Sequence, residues 1–170
     1  GMAVNMDLIA GLTSDTVAGF EETLRKVIAL APENITVHTL SLKKGSRITL
    51  EGSVLPTAAE VGRMLDIAGA ALRESGYSPY YLYRQKFMSG GFENVGWTKD
   101  GYINLYNVCI MEELCSIIAV GGGGSTKLVS AGSGRNIRLF APKYPTEYIS
   151  GIEKTCSDKQ GIIDFYRKVK

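Results

Sequence analysis

The chain has 170 residues, 45% of them hydrophobic, and its 19 basic and 17 acidic side chains give a net charge of +2. This apolar fraction excludes a disordered chain, and the length suffices for one domain with its own core. The nearly balanced charge argues against binding to nucleic acid or to an acidic membrane surface. No apolar run reaches the roughly 18–20 residues of a membrane span, and no charged and apolar leader is recognisable. We therefore expect a cytoplasmic protein that binds neither nucleic acid nor membrane.

The chain up to residue 42 has the pattern of a βαβ unit. Residues 3–12 predict a strand that is buried on at least one face, and residues 34–42 predict a second strand. The helical spacing of apolar residues over 15–30 predicts a helix between them, with Ser14 or Asp15 as its N-cap. Strands joined in this way are expected to be parallel. Because nothing before the first strand supplies its neighbour, we expect the back part of a larger α/β protein, whose free strand edge favours a homodimer.

A second helix has the clearest start signal, a capping box from Thr57 to Glu60, and Gly76 ends it. Beyond this helix, short apolar runs separated by turns predict hairpins and hence an antiparallel or mixed sheet. The sequence predicts strands at 80–87, 103–111, 115–120 and 136–140, a polar loop at 89–97, and helix over 145–169 with a break at Gly161.

Asp7, the glycine run and His38 are candidate functional features. Asp7 lies near the carboxyl end of the first strand, where parallel sheets bind ligands; alternatively it caps a neighbouring loop. The glycine run 121–125 predicts either a loop whose amides approach an anionic or adenosine ligand, or a tight connection that needs positive φ. His38, the single histidine, is interpreted as a hydrogen-bonded core residue rather than a base or ligand.

Tyr80, Arg84 and Lys86 lie in an aromatic and basic stretch that suits a flat ligand with several carboxylates. Alternatively, this stretch is an amphipathic strand with its tyrosines at the rim of the core. Strand alternation places Tyr81 and Tyr83 on the face opposite Tyr80 and Arg84.

Five segments together resemble a known family: Asn5–Leu12, Ile35–Lys44, Gly76–Lys86, Glu93–Trp97 and Ile117–Ser125. The sequence is similar to the oxygen-independent coproporphyrinogen III oxidases, radical S-adenosylmethionine enzymes of haem biosynthesis, and most to the coproporphyrinogen dehydrogenase branch. The resemblance implies an α/β fold, a partial (β/α) barrel made of the later parallel strands, with a mixed α+β C-terminal extension. The barrel part would be 3–56 and the helix with the mixed sheet 57–170, within one continuous domain.

The same resemblance implies two sets of binding residues. S-adenosylmethionine would be bound by Asp7, Ser41, Gly121, Gly123 and Ser125. The porphyrinogen substrate would be contacted by Tyr80, Arg84 and Lys86.

The chain departs from the family where the iron–sulfur cluster should be. The family holds a [4Fe–4S] cluster with three cysteines in C-x3-C-x2-C, whereas Cys109, Cys115 and Cys156 do not have this spacing. We expect them to be buried free thiols in a reducing compartment. The chain therefore resembles a C-terminal fragment without catalytic residues or cluster of its own.

The function that the resemblance implies is oxidative decarboxylation of the propionates of coproporphyrinogen III to vinyl groups, carried out by the whole enzyme. The isolated chain is expected to be inactive. The alternatives are a haem- or tetrapyrrole-binding protein, with His38, Met88 or a tyrosine as axial ligand, and an inactive truncated relic.

Overall fold

The computed structural model describes residues 1–42, 48, 52–84, 89–130 and 136–169. The chain forms two compact units, Gly1–Leu105 and Tyr106–Lys170. The division into 3–56 and 57–170 inferred from the family resemblance stays a prediction. The elements of the first unit are β1 (Asn5–Ala10), α1 (Val17–Ala29), β2 (Asn34–Thr39), α2 (Ala58–Glu74), β3 (Ser78–Tyr83), a 3-10 turn (Ser89–Gly91) and β4 (Asn94–Thr98).

A four-stranded mixed sheet in the order β1-β2-β4-β3 organises the first unit. Strands β1 and β2 are parallel, which confirms the βαβ prediction. Strand β4 is antiparallel both to β2 and to β3, which confirms the antiparallel or mixed sheet predicted after the second helix. The architecture is therefore mixed α/β, while the partial barrel stays a prediction.

The two helices and one face of the sheet form the core. Helix α1 packs against β1, and α2 packs against α1, β1 and β2. The amphipathic stripes predicted for both helices supply the helical side of this core. The fully buried members of the cluster include Phe20, Leu24, Ile35, Val61, Met64 and Leu72. Apolar burial of this kind provides roughly 1.5–3 kcal/mol for each large side chain.

Side chains cap both helices at their N-termini. The prediction of Ser14 or Asp15 as the cap of α1 is wrong, because the Thr16 hydroxyl accepts the hydrogen bond from the Gly19 amide at 3.0 Å. The Asp15 carboxylate instead accepts from the Thr16 amide. The capping box of α2 is confirmed, since the amides of Thr57 and Glu60 each donate to the other residue's side chain.

Two segments of the chain adopt a structure that the sequence pattern did not predict. Strand β4 lies within the stretch 89–97 that was predicted to be a loop. The segment 103–111 was predicted to be a strand, but Leu105–Met111 is helix α3. A short apolar run is compatible with helix and strand alike, and only its neighbours decide between them.

The described part of the second unit contains most of α3, a hairpin and three further short helices. The hairpin consists of β5 (Ser125–Val129) and β6 (Asn136–Phe140), and the helices are α4 (Pro145–Ser150), α5 (Ile152–Asp158) and α6 (Gln160–Val169). Strand β6 and the helical end of the chain are confirmed. Gly161 lies inside α6, so the break predicted there is wrong, and the helices end instead at Gly151 and Lys159.

Two further predictions for the second unit are wrong. The segment 115–120 is not a continuous strand, because only Ile117 forms a bridge, to Lys127. Cys115 and Cys156 are exposed and Cys109 is half-buried, so the thiols are free but not buried as expected. Among the residues described, no helix is both long and apolar enough to cross a membrane.

Acidification should weaken the capping box of α2. Hydrogen bonds from the Thr57 amide and hydroxyl lower the pKa of Glu60 below its ordinary value of 4.5. Its contribution to stability is therefore present above that value and is lost as the pH falls through the lowered pKa. We expect the stability difference between the wild type and Glu60→Ala to shrink between about pH 7 and about pH 3 in urea unfolding. Glu60→Gln is the matched control, because its amide oxygen still accepts from Thr57 without a charge. An unchanged Glu60→Ala difference across this range would contradict the assignment.

Candidate functional site

The sheet face opposite the helices is polar. Because β1 and β2 are parallel with Asp7 opposite Thr36, the side chains of these two residues lie on the same face. The pairing continues to Gly96 on β4 and from there to Tyr81 on β3. We call the side chains of Asn5, Asp7, Thr36, His38, Tyr81 and Tyr83 the polar face.

Asp7 is the carboxylate of the polar face. It lies in the middle of β1 rather than near its carboxyl end as the sequence suggested, and its side chain is 59% exposed. One oxygen accepts a hydrogen bond from the Asn5 amide nitrogen at 2.7 Å. The other lies 3.6 Å from Nε2 of His38, which is too long for a hydrogen bond. Asp7 therefore keeps capacity to accept hydrogen bonds from a ligand.

His38 lies between Asp7 and Tyr83. Its Nδ1 is 3.1 Å from the Tyr83 hydroxyl, in a hydrogen bond whose direction depends on the imidazole tautomer. With Nε2 facing the Asp7 carboxylate, both ring nitrogens have a polar neighbour. The imidazole is largely buried, with 24% of its side chain exposed. This arrangement agrees with the interpretation of His38 as a hydrogen-bonded residue and does not favour a role as axial haem ligand.

Tyr81 reaches across β4 to the other half of the polar face. Its hydroxyl lies 3.3 Å from the Thr36 hydroxyl, which in turn donates to Asn5 at 3.2 Å. Burial raises the pKa of Tyr81 above its ordinary value, so the phenol stays protonated and can donate. The ring also stacks on Tyr83 with 6.2 Å between centroids.

Gly96 on β4 makes the position of the Tyr81 ring possible. A Cβ at this position would lie only 1.9 Å from Cε1 of Tyr81. Any other residue would therefore push the ring away from Thr36. The glycine is required by this close approach of a ring and a backbone rather than by its φ angle.

A pocket of about 370 Å³ opens beside this network, a size typical of small-molecule sites. It includes Asp7 and Ser41, so two residues predicted to bind the same cofactor line one pocket. The residues that line it are Asp7, Ile9, His38, Thr39, Leu40, Ser41, Tyr83 and Asn94.

Of the residues predicted to contact substrate, Tyr80 and Arg84 do not line this pocket. Tyr80 lies at the irregularity of β3 and packs edge-to-face on Tyr81, with 4.7 Å between centroids. Arg84 is exposed and pairs with Glu93 at 3.2 Å. Lys86 lies outside the described residues. The substrate-binding role of all three stays a prediction.

The glycine run belongs to the second unit and forms a tight turn before β5. Gly121 and Gly123 have φ of +101° and +72°, the left-handed region that favours glycine. The Gly123 amide donates to the carbonyl of Pro142 at 2.7 Å, which ties the turn to the end of β6. This geometry agrees with the tight connection considered from the sequence. A cofactor role for Gly121, Gly123 and Ser125 stays a prediction.

The cysteines do not form a cluster site with other side chains. Nowhere in the described ranges do three His, Cys, Asp or Glu side chains come together as a metal site. Cys109 and Cys115 do interact, since a hydrogen bond between their thiols raises the pKa of Cys115. The described residues therefore do not fit an iron–sulfur cluster, and we assign no reaction step to one.

Of the residues that line this pocket, sequence reasoning did not find Asn94, and it did not assign His38 or Tyr83 to the cofactor site. Asn94 was missed because its strand was taken for a loop, although Val95, Trp97 and Thr98 favour a strand. The alternation of Tyr81 and Tyr83 was predicted, but it could not show that their hydroxyls reach Thr36 and His38 two strands away.

No family model matches the chain. The chain is 40% identical over 158 residues, or 92% of its length, to the oxygen-independent coproporphyrinogen-III oxidase-like protein HemZ of Bacillus subtilis. Over 78 residues, or 44% of its length, it is 37% identical to the oxygen-independent coproporphyrinogen III oxidase of Synechocystis. The chain is homologous to a segment of the oxygen-independent coproporphyrinogen III oxidases. This confirms the resemblance drawn from the sequence motifs.

The match also covers only part of each relative. It extends over 32% of HemZ and 17% of the Synechocystis protein. Coproporphyrinogen III oxidase HemN from Escherichia coli, a radical SAM enzyme, superposes with a TM-score of 0.61 at 16% identity, over 90% of this chain and 34% of HemN. At this identity, the likeness to HemN shows the fold alone. The chain thus spans about a third of the length of HemZ and of HemN.

Adding a methyl group at position 96 should displace the Tyr81 ring. We expect Gly96→Ala to lower the free energy of unfolding by about 1–3 kcal/mol, the usual cost of overpacking. The double variant Gly96→Ala/Tyr81→Leu should recover part of this loss, because the clashing ring is gone. Chemical denaturation measures both.

The matched control for this pair is Gly161→Ala. A Cβ there would meet only Leu139, at 3.9 Å, and the position is inside α6. We expect this variant to be neutral or slightly stabilised. A Gly96→Ala variant as stable as Gly161→Ala would show that the ring does not depend on the glycine.

Proposed function

We propose that the chain forms part of the S-adenosylmethionine pocket of an oxygen-independent coproporphyrinogen III oxidase. The observation that carries this proposal is the common pocket of Asp7 and Ser41 in a homologue of that family. The residues there suit the ligand. An exposed carboxylate can accept hydrogen bonds from hydroxyl or ammonium groups and attracts the positive sulfonium, while Ile9 and Leu40 offer apolar surface.

In the whole protein, S-adenosylmethionine and a [4Fe–4S] cluster would supply the radical chemistry for oxidative decarboxylation of propionate side chains to vinyl groups, with loss of carbon dioxide. The contribution we assign to this chain is binding and orientation of the cofactor. Asp7 accepts hydrogen bonds from the ligand, Asn5 holds its carboxylate by a hydrogen bond, and His38 lies beside it. We further propose that this sheet face lines the interior of the partial barrel, because the helices of a (β/α) barrel lie on its outside.

The remaining parts of the site are proposed on the resemblance. Gly121, Gly123 and Ser125 would contact the adenosine end of the cofactor, and Tyr80, Arg84 and Lys86 would contact the porphyrinogen. Without the three cysteines that hold the cluster in the family, the isolated chain is proposed to bind the cofactor but not to cleave it. The cytoplasmic location expected from the sequence stays a prediction.

Titration calorimetry with S-adenosylmethionine tests the proposed pocket. We expect the 170-residue chain to bind the ligand without producing 5′-deoxyadenosine. Asp7→Asn should weaken binding about ten- to hundredfold, because a hydrogen bond to a charged group contributes about 1.5–3 kcal/mol.

Asp66→Asn is the matched control for this titration. It removes an exposed carboxylate from α2, away from the pocket. Equal affinity of the wild type and Asp7→Asn would refute the assignment of Asp7. A reducible iron–sulfur absorption band together with cleavage of the ligand would refute the inactivity of the chain.

We also propose that the edge of β1 that pairs with no other strand among the described residues binds a second copy of the 170-residue chain. Strand β1 ends the four-stranded sheet, with β2 on its other side. The carbonyls of Val4 and Ala10 accept hydrogen bonds from the β2 side, so by alternation the amide of Ile9 points to the free edge. An unpaired edge of this kind recruits another strand.

Sedimentation at increasing protein concentration tests this pairing. We expect the wild type and Ile9→Ala to self-associate, and Ile9→Pro to remain monomeric because it lacks the outward N–H. A wild-type chain that stays monomeric at millimolar concentration would contradict the proposal.

A further inference from the structure

Among the described residues, one hydrogen-bonding group of the Asn94 side chain has no partner. The residue is 1% exposed, and its Oδ1 accepts a hydrogen bond from the Thr39 amide at 2.7 Å. This bond fixes the orientation of the side-chain amide, because a flipped amide would oppose two donors. The Nδ2 group then has no acceptor within the part of the chain that the structure describes.

Such an unpaired buried donor is costly, and folded proteins rarely keep one without a reason. The Thr39 hydroxyl is a second example, buried to 3% exposure and without a partner among the described residues. Asn94 and Thr39 both line the pocket that contains Asp7. Strand alternation places the Thr39 side chain on the core face with Val37 and the Asn94 side chain on the polar face with Tyr83. Of the two unsatisfied groups, Nδ2 of Asn94 is therefore the one on the side of the pocket.

Asn34, a buried asparagine in β2 of the same sheet, provides a comparison for the hydrogen bonding of Asn94. It is 3% exposed, and its Nδ2 donates to the carbonyl of Tyr102 at 3.1 Å. Only its Oδ1 lacks a partner among the described residues, and Asn34 does not line the pocket. Unpaired buried carbonyl oxygens are less rare than unpaired N–H groups. Among the described residues, the pairing of the sheet therefore does not account for the unpaired Nδ2 group of Asn94.

We infer that Nδ2 of Asn94 donates a hydrogen bond to an acceptor atom of the ligand in this pocket and is a specificity-determining group of the site. The identity of the ligand, S-adenosylmethionine, rests on the proposed function. Asp7 is a pure acceptor and Asn94 supplies a pure donor, so the pocket selects a ligand that carries both kinds of group. The carboxylate of the methionine half and the oxygens and ring nitrogens of the adenosine half are the available acceptors.

Asn94→Asp is the sharpest variant, because it keeps an oxygen for the Thr39 amide and replaces the free donor with a carboxylate oxygen, a change that also adds a negative charge to the site. We expect it to weaken binding of S-adenosylmethionine at least about tenfold in titration calorimetry. Asn34→Asp is the matched control, a buried asparagine of the same sheet with the same change. It should bind within about twofold of the wild type.

Separate titrations with methionine and with 5′-deoxyadenosine identify the half that carries the acceptor. Asn94→Asp should weaken binding of the half that carries the acceptor, either methionine or 5′-deoxyadenosine, and leave binding of the other half unchanged. A second measurement uses the wild type alone and therefore does not depend on whether a variant folds. In the nitrogen–proton correlation spectrum, the Asn94 side-chain amide signals should move on ligand addition and exchange more slowly with water.

The outcomes separate this inference from the function on which it rests. If the wild type binds and Asp7→Asn does not, while Asn94→Asp binds normally and the amide signals stay in place, the inference is overturned and the cofactor pocket stands. Equal losses in Asn94→Asp and Asn34→Asp would also overturn it. If the wild type binds neither S-adenosylmethionine nor its halves, the proposed function fails and the inference fails with it.

Discussion

The hydrogen-bond register of β2 with its two neighbours determines where every polar side chain of the pocket lies. Strand β2 pairs with β1 in parallel and with β4 in antiparallel orientation, and Thr36 is opposite both Asp7 and Gly96. Because strand side chains alternate, a slip of one residue would turn Asp7 and His38 toward the helices. The apolar packing of Ile35 and Val37 under α2 opposes such a slip, so the core also fixes the site.

The polar face depends on groups from three strands that are far apart in the chain. Asn5 and His38 each approach one oxygen of Asp7. From β3, Tyr81 contacts Thr36, which donates to Asn5, and Tyr83 contacts His38. The bond from Asn5 to Asp7 is short, at 2.7 Å, whereas the His38–Asp7 and Tyr81–Thr36 contacts are longer. Together they hold the carboxylate and the pocket wall in one arrangement, which is the preorganisation that binding sites require.

Local signals predicted much of the first unit, and contacts between distant residues explain what was missed. The βαβ unit and the Thr57 capping box depend on residues close in sequence, and both are confirmed. Asp7 was singled out as a carboxylate in an apolar strand and Ser41 through the family resemblance, and the two residues line one pocket. Strand β4 was missed because Gly96 weakens its strand signal. A glycine is required there because the Tyr81 ring lies against the backbone at that position. The unpaired amide of Asn94 could not be predicted, because it depends on the Thr39 amide from another strand.

The strand order has a consequence for folding. Strand β4 lies between β2 and β3, although it is the last of the four in sequence. Strands β3 and β4 can form a local hairpin, whereas the pairing of β4 with β2 joins Val37 to Val95 across a long loop. Non-local contacts form late because their loop-closure entropy is large. The βαβα half and the hairpin can therefore form first, and the pocket is completed only when the hairpin docks.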